Sequence, residues 1–199
     1  MIFTPSVKFA FIGGCLLVAL LSGARRWNTR DWLWLVAALS FTLLSDYFLI
    51  LRHEHLFGVA AFCFVHICYI FRAVKFKKNF LAPIFIFVII WASALAFGSV
   101  IVLAGLYAAL FAVNIYVNFK ETRRPKLNHR LVTAGLVLFA LCDICVMLVN
   151  LPRYANVTQD FSAAFPLIWV FYLPSQALLA VSSYFFHSQK SKFAHQPLS

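Results

Sequence analysis

Charge is scarce in this 199-residue chain: Asp, Glu, Lys and Arg together make up 12% of it, and only six of those residues are acidic. A soluble domain carries about twice that charged share, so a soluble enzyme and a disordered tail are both excluded. Alternation of polar and apolar residues is also missing, which excludes a membrane β-barrel. No Pro-, Gly- or Ser-rich linker and no internal repeat divides the chain, so a single domain over residues 1–199 is expected. What is abundant is apolar: 63% of residues are hydrophobic, 23 of them Phe. A chain of this size has too little interior to hide so much apolar surface from water. The composition specifies an all-α, polytopic transmembrane helical bundle, an integral multi-pass membrane protein (of the cell membrane if bacterial).

The apolar runs extend over Pro5–Ala24, Trp32–Leu51, Leu56–Ala73, Phe80–Phe97, Val100–Phe119, Leu131–Asn150 and Phe161–His187. Each approaches or exceeds the roughly 20 residues that a spanning helix needs, which gives about seven spans. The last is long enough to tilt, to kink at Pro174, or to begin with an interfacial piece. Gly98 and Ser99 alone join the fourth and fifth runs, as in a tight helical hairpin. Basic residues follow the odd-numbered runs: Arg25, Arg26 and Arg30; Arg72, Lys75, Lys77 and Lys78; Lys120, Arg123, Arg124, Lys126 and Arg130; then Lys190 and Lys192. That is 14 of 17 on one side, with Arg52 and Arg153 on the other and Lys8 at the start of the first run. The positive-inside rule therefore places the N-terminus outside and the C-terminus in the cytoplasm. Such clusters are topology signals; a net charge of +11 without aromatic interleaving does not describe a nucleic-acid surface. The small residues Ser22, Gly23 and Ala24 give the first run some likeness to a secretory signal, but Arg25 and Arg26 directly beyond oppose translocation and cleavage.

Two of the six acids, Asp46 and Asp143, fall inside spans, and so does His66. Ionisable groups in hydrocarbon are expensive, about 2.5–3.5 kcal/mol on insertion scales, and normally face the bundle interior. Asp31, Glu54, Glu121 and Asp160 lie at or beyond helix ends and read as solvated charges. At 1.5 Å per residue, Asp46, Asp143 and His66 lie about 9, 12 and 15 Å below the outer ends of their spans, hence in one layer. Helical spacing adds Thr42 beneath Asp46, Tyr69 after His66 and Asn150 on the Asp143 face. The last span contributes Tyr172, Gln176 and Ser183. Tyr107, Asn114 and Asn118 share the fifth span, the two asparagines lying deeper as candidate inter-helix contacts.

Two carboxylates in such a layer suit a division between general acid and stabilising base, and they equally suit a proton relay in a carrier. Other chemistries lack their residues. No run has the deep lysine that a retinal Schiff base requires, and there is no GxSxG nucleophile elbow. The remaining histidines fall on opposite sides of the membrane, too far apart for a three-histidine zinc site. A metal on Asp46, His66 and Asp143 has no further ligand to support it. The five cysteines, Cys15, Cys63, Cys68, Cys142 and Cys145, lie in apolar runs as small packing residues; the Cys142–Cys145 CxxC has no redox fold around it.

Several stretches together resemble the lysoplasmalogenase (YhhN-like) family. These are Leu39–Ile50 with Asp46 near its end, Leu56–Tyr69 with Gly58 and the His66-Ile-Cys-Tyr69 motif, Leu138–Cys145 around Asp143, and Phe171–Ala180 with Tyr172 and Gln176. Their order and spacing match, although Ser45 stands where glycine is usual, Cys142 where serine is common and Lys8-Phe9 where Lys-Pro is expected. The seven runs are one fewer than the family's usual eight helices. The resemblance implies cleavage of the vinyl ether bond of a lysoplasmalogen, releasing a fatty aldehyde and a glycerophospho-ethanolamine or -choline. It makes Asp46 and Asp143 the acid and the stabilising base, with His66 orienting water. Tyr69, Tyr172 and Gln176 would line the lysophospholipid pocket, with Thr42 and Asn150 beside them. It implies no cofactor or metal; the expected partners are a lysophospholipid substrate within the bilayer and the membrane lipids, not nucleic acid. The competing class is a non-enzymatic lipid-binding or proton-coupled transport protein.

The distribution of basic residues makes a direct prediction. Reporter fusions after Arg52, Lys78, Lys126 and Arg153 should read outside, inside, inside and outside. Two or more reversed signals would overturn the orientation and the shared depth of the polar residues.

Overall fold

The computed structural model describes residues 5–23, 30–74, 88, 92, 96, 100–122, 127–155 and 158–194. The fourth apolar run falls outside the described residues except at Val88, Ala92 and Ala96, which are helical. Gly98 and Ser99 also fall outside them, as do Arg25, Arg26, Lys75, Lys77, Lys78, Arg123, Arg124 and Lys126. The described chain is helical, without strands. Six α-helices are described: α1 (Pro5–Gly23), α2 (Arg30–Asp46), α3 (His55–Ala73), α4 (Val100–Thr122), α5 (Leu127–Ala155) and α6 (Phe165–Ala194). Five segments are long and apolar enough to cross a membrane: Arg30–Arg52, His55–Ala73, Val100–Lys120, Leu127–Pro152 and Ser162–Tyr184. Ser6–Ser22 in α1 is a shorter apolar helix.

Several helices outrun the apolar runs that announce them. Hydropathy marks only the part in hydrocarbon, whereas a helix continues until its last carbonyls can meet water or a cap. Thus α5 begins at Leu127 and α6 continues to Ala194, passing through Pro174 without interruption. A 3₁₀ turn at Ser162–Ala164 precedes α6. Asp160 accepts hydrogen bonds from the Ser162 N–H (2.8 Å) and hydroxyl (2.9 Å), and these donors hold its carboxyl below the usual carboxylate range.

The helices pack in sequence order and the ring closes, α1 lying against both α2 and α6, and α5 running along α6. The distribution of polarity is inverted relative to a soluble protein. Leu21, Ile101 and Met147 point outward, while Asp46, His66 and Gln176 are buried, as expected for a bundle with lipid around it. Hydrogen bonds cross between helices where side chains are small or amphipathic. Trp32 Nε1 donates to the Ala19 carbonyl at 2.9 Å, and the Ser22 and Ser183 hydroxyl oxygens lie 2.7 Å apart. Asp31, expected to be solvated, instead forms a largely buried two-point pair with Arg72 (Nε–Oδ1 2.9 Å, Nη2–Oδ2 3.1 Å) that ties α2 to α3. The planar guanidinium matches the carboxylate edge, so pairing offsets much of the desolvation.

The α2–α3 connection departs from regular helix. Directly after Asp46, Tyr47–Arg52 form a π-helical extension of α2. His53 then takes a left-handed conformation (φ 56°, ψ 28°), and its N–H and that of Glu54 both turn back to the Phe48 carbonyl. The widened turn swings Leu49 onto α3 at Gly58, where an added Cβ would overlap the Leu49 side chain. Ser45 Oγ donates to the Gly58 carbonyl at 2.7 Å, closing the same junction. Gly58→Ala should therefore destabilise the protein by about 1–3 kcal/mol through overpacking. Adding Leu49→Ala should recover most of that loss, read as the midpoint of unfolding in detergent. No recovery would mean that Gly58 serves the backbone and not this contact.

Candidate active site

Asp46 ends the regular part of α2, and 4% of its surface is exposed. Tyr172 on α6 donates its hydroxyl proton to Asp46 Oδ2 at 2.7 Å. On the other side of the interior, Tyr107 on α4 donates to Asp143 Oδ2 of α5 at 2.5 Å. Four helices thus supply two tyrosine–carboxylate pairs. Among the described residues, the second oxygen of each carboxylate has no hydrogen-bond partner. The Cys142 side chain lies within electrostatic reach of both Asp46 and Asp143, and Tyr107 lies within that of Tyr172, so the two pairs share one region. Phe139, one turn before Asp143, links His66 to the first pair: its ring centroid is 5.7 Å from His66 and 5.8 Å from Tyr172.

His66 is fully buried and stacked on Phe111 at 4.2 Å, with Tyr107 at 4.9 Å. An asparagine chain on α4 determines which of its nitrogens carries the proton. Asn118 Nδ2 donates to the Asn114 backbone carbonyl (3.0 Å), which can only accept, so this amide cannot be reversed. The same Nδ2 donates to Asn114 Oδ1 (2.8 Å), which leaves Asn114 Nδ2 to face His66 Nδ1 at 3.0 Å. Nδ1 is then the acceptor and Nε2 carries the hydrogen. Nε2 is buried and has no partner, and neither amide atom of Gln176 nor Ser175 Oγ has one. Donors and acceptors left open in a dry interior make a place for a polar reactant or water.

The other expected positions divide. Thr42 is buried one turn before Asp46 but donates to the Ala38 carbonyl of its own helix at 3.0 Å. Asn150 likewise donates to Val146 of its own helix at 2.8 Å, and the structure does not bring it to the aspartates. Tyr69 is buried with an unpartnered hydroxyl, within reach of Arg72, Cys68 and Cys15. Ser183 contacts Ser22 of α1. All five cysteines are free and buried. Among the described residues, no three His, Cys, Asp or Glu side chains converge as metal ligands. Tyr107 and Asn114 carry more than their sequence positions suggested: a separation of seven residues puts them on one face of α4, which was the available signal. Lys8, taken from sequence as a flanking charge, is also buried.

The profile of the YhhN family matches residues 3–183, nearly the whole chain. The chain belongs to the YhhN family. This is the lysoplasmalogenase-type family, as the Asp46, His66–Tyr69, Asp143 and Tyr172–Gln176 stretches indicated. Comparison with curated proteins and with solved structures finds no match. In this YhhN chain the asparagine chain generates a separate prediction. Asn114→Leu strips the partner from His66 Nδ1 and leaves the Asn118 amide its bond to the backbone carbonyl of residue 114, and should cost about 1–3 kcal/mol in stability. An unfolding midpoint equal to that of the parent would show that the network does not hold α3 to α4.

Proposed function

We propose that this chain is a membrane hydrolase that cleaves the vinyl ether bond of a lysoplasmalogen, using Asp46 and Asp143 as acid and base. We take it to span the membrane seven times, with the N-terminus outside and the C-terminus in the cytoplasm. The observation that supports the chemistry is a pair of carboxylates inside the bundle, Asp46 buried and Asp143 half-buried, each gripped at one oxygen by a tyrosine and open at the other. Family membership supports the substrate class.

The reaction needs one proton delivered to carbon and one water. A carboxylic acid protonates the alkenyl carbon remote from oxygen, and the double-bond electrons form the new C–H bond. The adjoining carbon becomes an oxocarbenium ion, stabilised by the second carboxylate. That carboxylate removes a proton from water as its oxygen adds to the cationic carbon. The hemiacetal then breaks its bond to the glycerol oxygen, which takes a proton, releasing a fatty aldehyde and a glycerophospho-base. The His66 Nε2–H orients the water, Tyr107 and Tyr172 hold the carboxylates, and Gln176 lines the pocket. Thr42, Tyr69 and Asn150 stand farther from the reacting centre, as packing or outer lining.

Detergent-purified, monodisperse protein should release aldehyde from an alkenyl lysophospholipid. Asp46→Asn and Asp143→Asn should each lower turnover by about a hundredfold or more. The double variant should fall little further, because members of one catalytic unit are not additive. His66→Gln should be milder. Near-parental turnover in both single variants would eliminate the mechanism; gradient-dependent lipid uptake without turnover would assign the same pairs to proton coupling.

A further inference from the structure

Lys8 lies in the first turn of α1, where an unrestrained lysine reaches outward to water. Only 4% of its surface is exposed, so it does not. Its ammonium is 3.5 Å from the centroid of the Trp169 ring and 5.6 Å from that of Phe165. The aromatic faces attract the cation but provide neither counter-charge nor acceptor for its N–H groups. Among the described residues, no carboxylate lies within ion-pair distance of it. Trp169 Nε1, a pure donor, is buried and also has no acceptor.

We propose that Lys8 and Trp169 form a subsite for the phosphodiester of a single-chain phospholipid. An anion with several acceptor oxygens is what a buried ammonium and an unpaired indole N–H lack. The subsite adjoins the carboxylates: Trp169 meets the Tyr172 ring edge at 5.8 Å, and Tyr172 holds Asp46. Lys8 is about 4.5 Å into its helix, and Asp46 lies below the same end of its own by the length of the π-helical segment Tyr47–Arg52. A phosphate at headgroup depth therefore directs the glycerol and the first carbons of the chain toward Asp46. Identifying the lipid as an alkenyl one rests on the function proposed above; the anion subsite does not.

The test uses a saturated alkyl-ether lysophosphatidylethanolamine, which has no bond for the enzyme to cleave, and the matching alkyl glycerol. Binding to the full chain in detergent is followed by tryptophan fluorescence and thermal stabilisation. The parent should bind the phospholipid at least about tenfold tighter than the glycerol. Lys8→Met and Lys8→Gln should abolish that preference without changing affinity for the glycerol, and Lys8→Arg should restore it. Equal affinity of the parent for both ligands overturns the proposal, as does a preference that survives in Lys8→Met or Lys8→Gln. Displacement of the lipid by submillimolar inorganic phosphate would assign the subsite to the free anion and overturn the lipid assignment. Should the parent fail to turn over vinyl ethers, this comparison still stands, and the parent's own preference decides it even if the Lys8 variants do not fold.

Discussion

Two hydroxyl-to-carboxylate hydrogen bonds set the arrangement of the interior. Tyr172 to Asp46 joins α6 to α2, and Tyr107 to Asp143 joins α4 to α5. In hydrocarbon a carboxyl group without a donor is among the least tolerable groups a helix can carry, so these contacts restrict how the helices rotate about their own axes. Once α2, α4, α5 and α6 are oriented in this way, Phe139 packs between Tyr172 and His66. His66 is then enclosed by Phe111, Tyr107 and Phe139. The same bonds that orient the helices also aim the two carboxylates.

The junction after Asp46 shows how local geometry is adjusted to that end. A π-helical segment closes each hydrogen-bonded ring over one more residue than the α-helical ladder, which shifts the direction of the side chains that follow. Asp46 sits at the change of period, with Ser45 anchored to the Gly58 carbonyl and Leu49 seated where Gly58 has no side chain. Left-handed His53 then returns the chain with no intervening loop longer than two residues.

Much of this was legible in the sequence because membrane interiors are restrictive. Asp46, Asp143 and His66 stood out since few ionisable residues survive inside apolar runs, and helical rise alone put them at comparable depth. Tyr172 and Gln176 followed from their shared face on the last span. The π segment was not legible, because Tyr47-Phe-Leu-Ile-Leu-Arg52 is as compatible with α as with π hydrogen bonding. Side-chain direction was not legible either: Thr42 and Asn150 turn back on their own helices, and Tyr69 sits toward Arg72. Position relative to a helix end misled at Asp31, which found Arg72, and at Lys8, which folded onto Trp169. In each case the deciding partner is on another helix, and sequence spacing carries no information about that.

The asparagine chain beneath His66 has a consequence for how helix placement becomes chemistry. Whether the imidazole offers a hydrogen or a lone pair to the interior is decided by Asn114 and Asn118, both on α4. A rotation of α4 that withdrew Asn114 would free the ring to exchange its proton between nitrogens, and the nitrogen facing the interior would change from giver to taker. Which nitrogen of His66 carries the hydrogen is thus tied to the azimuth of a single helix.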